Sequence, residues 1–67
     1  MTILKVIEVL AESKKSWEDA AQEAVREASK TVDNIRSIYI KEFQATVENN
    51  SIVKYRINAK ISFEIRK

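Results

Sequence analysis

Residues 53–66 alternate without a miss. Val53, Tyr55, Ile57, Ala59, Ile61, Phe63 and Ile65 share one parity, and Lys54, Arg56, Asn58, Lys60, Ser62, Glu64 and Arg66 share the other. Successive side chains of a strand point to opposite faces, so a period of two over this length predicts a strand apolar on one face only. That face needs a cover, and the chain offers one amphipathic helix. Ser16 precedes a run with Asp19 three positions on, a capping box, and Glu18 adds negative charge to the first turn. Trp17, Ala20, Ala21, Ala24, Val25, Ala28 and Val32 then recur at helical spacing, while Asp19, Glu23, Arg26, Glu27 and Lys30 form a solvated opposite face. A stripe made mostly of alanine implies close approach to whatever it covers. The helix is expected to run to about Val32, with Asp33-Asn34 supplying the left-handed stop.

Two further strands flank the helix. Residues 2–10 are rich in β-branched side chains and apolar on both parities, with Leu4, Val6 and Leu10 on one face and Ile3, Ile7 and Val9 on the other. Such a strand calls for a cover on its second side, which another subunit can provide. Residues 35–47 change phase: Ile38 and Ile40 share one parity, Phe43, Ala45 and Val47 the other. One extra residue near Lys41–Glu42 puts both sets on one face, so a β-bulge is expected there. Glu48-Asn49-Asn50-Ser51 reads as the hairpin turn, because asparagine best tolerates positive φ after glycine. A right-handed crossover from the first strand through the helix, with the last strand between the other two, makes every pairing antiparallel. The expected fold is α+β, a single β-α-β-β domain over residues 1–67 with a three-stranded antiparallel sheet packed on one helix.

Composition narrows the function. A chain of 67 residues with no cysteine and no histidine has neither disulfides nor the usual zinc ligand to support a small core. Oligomerisation is the remaining common remedy. Lacking glycine, it has no phosphate loop or dinucleotide fingerprint. Lacking histidine and cysteine, it has neither the commonest general base nor the most reactive nucleophile, so no enzyme is expected. Twelve basic residues against ten acidic give a net charge of +2, which predicts no special attraction to nucleic acid or membrane. Lys54, Arg56, Lys60 and Arg66 do form a basic strand face, but Tyr55 and Phe63 lie on the other parity, unlike a single-strand-binding platform. No apolar run reaches the ~18 residues of a membrane span, and no signal-like start is present. A soluble cytoplasmic protein is the expectation.

The order strand–helix–strand–strand resembles the dodecin family. The resemblance rests on SWEDAAQEAVREASKTVDNI across the helix, with its Ser16-Trp17-Glu18 start and Thr31-Val32-Asp33-Asn34 exit, and on YRINAKISFEI in the last strand. It covers essentially the whole chain. It implies a hollow homo-dodecamer that binds a flavin such as FMN or riboflavin and stores it. In flavin-binding members a tryptophan shortly after the helix exit stacks on the isoalloxazine ring, and Ser37 stands at that place. A glutamine in the last strand bonds the flavin edge, and Arg56 stands there; an acidic residue two after the tryptophan becomes Tyr39. Serine has no π face, and arginine donates but cannot accept. The usual flavin site is therefore altered, and Arg36, Ser37, Tyr39 and Arg56 are the candidate ligand-binding residues. Arg36 and Arg56, if they converge, suit an anionic or phosphate-bearing small molecule. Tyr39, on the face of Ser37, offers a substitute ring for a retained flavin. Arg36 after the helix exit, with Tyr55-Arg56-Ile57, also resembles a calcium-binding dodecin subgroup. Glu8, Glu12, Asp33, Glu42 and Glu48 are the non-helical carboxylates available to calcium, but no recognised calcium loop is spaced among them.

Overall fold

A computed structural model describes residues 2–65. Strand β1 (Ile3–Ser13) leads into helix α1 (Trp17–Ala28), then strands β2 (Ile35–Glu48) and β3 (Ser51–Ile65). The sheet order is β1-β3-β2 with both pairings antiparallel, as the alternation and the crossover rule predict. Each strand runs longer than its apolar pattern alone suggests.

The start of α1 is fixed by its cap. Ser16 has extended backbone, and its hydroxyl accepts the Asp19 N–H at 2.9 Å. Only half of the expected capping box forms. The Asp19 carboxylate accepts instead from the Ser13 hydroxyl at 2.6 Å, and Ser13 Oγ accepts the Lys15 N–H at 2.9 Å. The last residue of β1 is thereby tied to the first turn of the helix. Replacing Ser16 with alanine is expected to destabilise the protein by about 1 kcal/mol. Urea denaturation reads this directly, and an unchanged midpoint would mean that water replaces the cap without loss.

The helix ends a turn earlier than its periodicity implies. Ser29 N–H bonds to Val25 O at 2.9 Å, and the Lys30 and Thr31 N–H groups then bond three residues back, to Glu27 and Ala28. This tightening closes the helix, leaving Val32 beyond it. Asn34 does take the left-handed conformation, at φ 62°, but as the pivot into β2 rather than as the helix cap. Its carbonyl accepts the Glu64 N–H at 3.0 Å.

The phase change in β2 resolves as expected. Register shifts between Ile40 and Glu42, so Lys41 is the extra residue. Ile38, Ile40, Phe43 and Ala45 then stand opposite Ile61, Ala59, Ile57 and Tyr55, all on the helix side. Two more shifts occur, at Arg36 on β2 and at Val53 on β3, so Ile52 rather than Val53 stands opposite Val47. The two-residue turn is Asn49-Asn50, at φ 51° and 65°. Both central residues of a type I′ hairpin turn need positive φ, and asparagine supplies it in a chain without glycine.

The core is small. Ala20 and Ala24 of α1 and Ile57, Ala59 and Ile61 of β3 are the buried apolar residues, with Val9, Ala11, Trp17, Ala21, Ile38 and Ile40 packed around them. Ala20 packs against the middle of β3, the close approach that the alanine stripe implies. Much apolar surface stays outside. On the helix-free face of β1, Leu4, Val6 and Leu10 are exposed, Leu10 to 71%. The radius of gyration is 13.7 Å, against about 11 Å for a compact chain of this length. The accessible surface is 5158 Å², against about 4,300 Å² for a monomer of this mass.

Candidate functional site

The register places Ser37, Tyr39 and Arg56 on the helix-free face. Ser37 is opposite Ser62, Tyr39 opposite Lys60, and Arg56 between Glu12 and Gln44. Ser62 and Arg56 are six residues apart on β3, which is roughly 20 Å of strand. Ser37 and Tyr39 are therefore neighbours, while Arg56 lies far along the sheet from both within one chain.

Each candidate has its own chemistry. The Ser37 and Ser62 hydroxyls share a short hydrogen bond across the ladder. Tyr39 is 65% exposed, its ring open to solvent. Arg36 is the extra residue of its bulge, and its guanidinium grips Glu64, with Nε donating at 3.0 Å and Nη2 to the same oxygen. Arg56 grips Glu12 in the same way, with Nε at 3.0 Å and Nη2 at 2.7 Å. The hydrogen bond from Arg56 holds the Glu12 carboxyl below its usual range, with smaller contributions from the charges of Arg56 and Lys54. The two arginines do not converge in one chain, and each is held by a carboxylate. Sequence reasoning missed these partners because 28 and 44 residues separate them along the chain.

The rest of this face is a charged ladder. Lys41 reaches Glu8 at 3.6 Å, and Lys54 and Lys60 lie on the same side of β3. Arg66, also expected on this face, lies outside the described residues. Tyr55 and Phe63 face the helix side, so the basic residues are not interleaved with aromatics of their own strand. Among the described residues no group of three or more acidic side chains is placed to hold a metal ion. Asn58 Oδ1 is buried without a hydrogen-bond partner, and Asn58 pairs with Glu42 across the ladder. These are oxygen donors of the kind hard cations take, but fewer than the six to eight that calcium requires. For a flavin, Ser37 itself offers no ring and Arg56 is engaged by Glu12, which leaves the exposed Tyr39 ring as the aromatic beside Ser37 on this face. No helix is long and apolar enough to cross a membrane among the described residues.

Comparison with known proteins agrees with this architecture. A family model described as Dodecin matches residues 3–66. The calcium dodecin of Mycobacterium tuberculosis is 39% identical over 66 residues, covering 98% of this chain and 93% of that protein. A crystal structure of the calcium-chelating antigen calcium dodecin from M. tuberculosis superposes with a TM-score of 0.82 at 39% identity, covering 96% of this chain and 91% of that one. A substituted form of the Thermus thermophilus dodecin superposes with a TM-score of 0.94 at 22% identity, covering 100% of both chains. At that identity the likeness speaks for the fold alone. Strand order, helix and sequence together place the chain in the dodecin family.

Proposed function

We propose that this chain is a non-enzymatic binding and storage protein that works as a homo-dodecameric shell and takes calcium rather than flavin as its ligand. The observation that carries the choice is Ser37. Its hydroxyl is tied to Ser62, and the family resemblance aligns it with the stacking tryptophan of flavin-binding members. Arg56, at the flavin-edge position, is held by Glu12. The relative at 39% identity is a calcium dodecin. The backbone superposes more closely on the Thermus dodecin, but side chains rather than the Cα trace select a ligand, so identity weighs more here. Among the described residues no cluster of acidic side chains supplies the shell, so ligands shared between copies or backbone carbonyls complete it.

Assembly is supported by the shape of the monomer. Its surface exceeds that of a compact chain by about 800 Å², close to what one partner contributes to a standard interface. Among the described residues nine large hydrophobic side chains are at least 38% exposed, apolar surface that a partner can cover.

A second reading rests on Tyr39. Its exposed ring lies two residues from Ser37 on the same face and offers a stacking surface to a flavin. One pair of titrations separates the two. Chelator-treated protein, shown by native mass spectrometry to be assembled, is titrated with calcium by calorimetry and with FMN by fluorescence quenching. Saturable calcium heat without flavin quenching is expected. Quenching that Tyr39→Ala abolishes, with no calcium heat, would replace calcium by the second reading.

A further inference from the structure

At the end of β1 the chain gathers more positive charge than its carboxylates answer. A hollow of about 260 Å³ there is lined by Glu12, Ser13, Lys14 and Lys54. Arg56 adjoins it, directly opposite Glu12 across the ladder. Among the described residues neither Lys14 nor Lys54 forms an ion pair. Of the acidic residues at the start of α1, Glu18 lines the hollow against β2, and Asp19 accepts from the Ser13 hydroxyl. Three cations thus border this end of β1, with Glu12 as the carboxylate among them.

We infer that Glu12 is a specificity-determining residue: it fills, from within the chain, an anion site bordered by Lys14, Lys54 and Arg56, and so keeps phosphate-bearing molecules out. Arg56 Nε and Nη2 both donate to Glu12 Oε2, at 3.0 and 2.7 Å. That edge of a guanidinium is a fork suited to phosphate oxygens, so the carboxylate stands where a phosphate oxygen would. The hydrogen bond from Arg56 holds the Glu12 carboxyl below its usual range, and the charges of Arg56 and Lys54 add to it, so both cations act on one anion. Glu64 grips Arg36 as well, but the hollow beside that pair is lined by Asp33 and holds no lysine. Only the Glu12 pair therefore closes a site with positive charge to spare. The Arg56 and Glu12 side chains are 42% and 38% exposed, so solutes reach the pair, and a pair this exposed is weak. Its charge rather than its strength does the excluding, since an incoming dianion meets a carboxylate already on the fork. The inference deepens the calcium reading, because a fixed negative charge in this place favours cations over anions.

Calorimetric titration of chelator-treated protein with inorganic pyrophosphate at low ionic strength tests this. Glu12→Ala, shown by native mass spectrometry to assemble like the wild type, is expected to bind pyrophosphate about 10-fold more tightly than the wild type. Glu12→Gln is expected to gain less, since its amide oxygen still accepts from Arg56. Adding Arg56→Gln to Glu12→Ala should remove most of the gain. Glu27→Gln raises the net charge by the same single unit at the other end of α1, and its gain is expected to stay below about 2-fold. A Glu12→Ala protein that binds no more tightly than the wild type would overturn the inference. So would a gain that Glu27→Gln matches or that survives Arg56→Gln. Should alanine disturb the fold, the isosteric glutamine decides alone, and no gain over Glu27→Gln sinks the idea. The calcium reading fails separately, by a wild-type titration without calcium heat, since neither calcium nor a flavin ring enters the pyrophosphate affinities.

Discussion

Replacing Trp17 with alanine is expected to destabilise the protein by about 3 kcal/mol, the low end of the range for losing a tryptophan because the ring is only partly buried. For a domain of this size that corresponds to a melting temperature lower by roughly 12–24 °C. The indole ties the first residue of α1 to β2 and β3 in two ways. Its ring meets Phe43 and Tyr55 at interplanar angles of 82° and 76°, the edge-on geometry that aromatic quadrupoles prefer. Its Nε1–H donates to the Gln44 carbonyl at 2.8 Å. Gln44 is exposed, so water replaces that bond in the variant and the ring contacts carry most of the loss. Trp17→Phe should therefore recover most of the stability. Scanning calorimetry of the three proteins reads the order directly. If alanine costs less than about 1 kcal/mol, the ring does not hold the helix to the sheet.

Ser37→Trp is expected to tighten flavin binding about 10-fold or more, from aromatic stacking together with the apolar area that the ring buries. The helix-free face has room for the indole, because Ser37 is exposed and its cross-strand neighbour is the small Ser62. The readout is quenching of riboflavin fluorescence in the intact assembly. Arg56 lies too far along the sheet to serve the same ring in the same chain, so its effect must come from another copy. Adding Arg56→Gln should strengthen binding further. That change also releases Glu12, whose carboxyl Arg56 holds below its usual range. A depressed carboxyl stabilises the fold above its unfolded pKa and loses that contribution as pH falls through the folded one. The double variant should therefore show a weaker loss of stability on acidification. No gain in quenching from Ser37→Trp, with the assembly intact, would show that Ser37 does not occupy the ring position.

Much of the fold is legible because local rules agree. Alternation in β3, the alanine stripe, the Ser16 cap and the Asn49-Asn50 turn each have a single physical reading. The bulge at Lys41 is legible because apolar residues on both sides of it disagree in phase. The bulge at Arg36 leaves no such mark, since only Ile35 precedes it in the strand. The shift at Val53 is hidden because Ile52 and Val53 are both apolar. Val32 misleads about the helix end: it keeps the helical spacing while the chain has already turned at Ser29–Thr31 toward β2. The site was less legible than the fold. Which residues share a face follows from period two, but whether Arg36 and Arg56 are free depends on Glu64 and Glu12, and only register brings those carboxylates alongside.

The two edges of the sheet differ in a way that gives it a direction. Between β2 and β3 the register shifts three times, while β1 runs against β3 over 11 residue pairs with no shift. Extra residues twist and interrupt the row of outward N–H and C=O groups, and a charged one such as Lys41 discourages pairing further. An extended chain approaching from outside therefore finds an unbroken hydrogen-bonding row only along Ile3–Ser13. Strand addition to this protein, whether wanted or harmful, is one-sided.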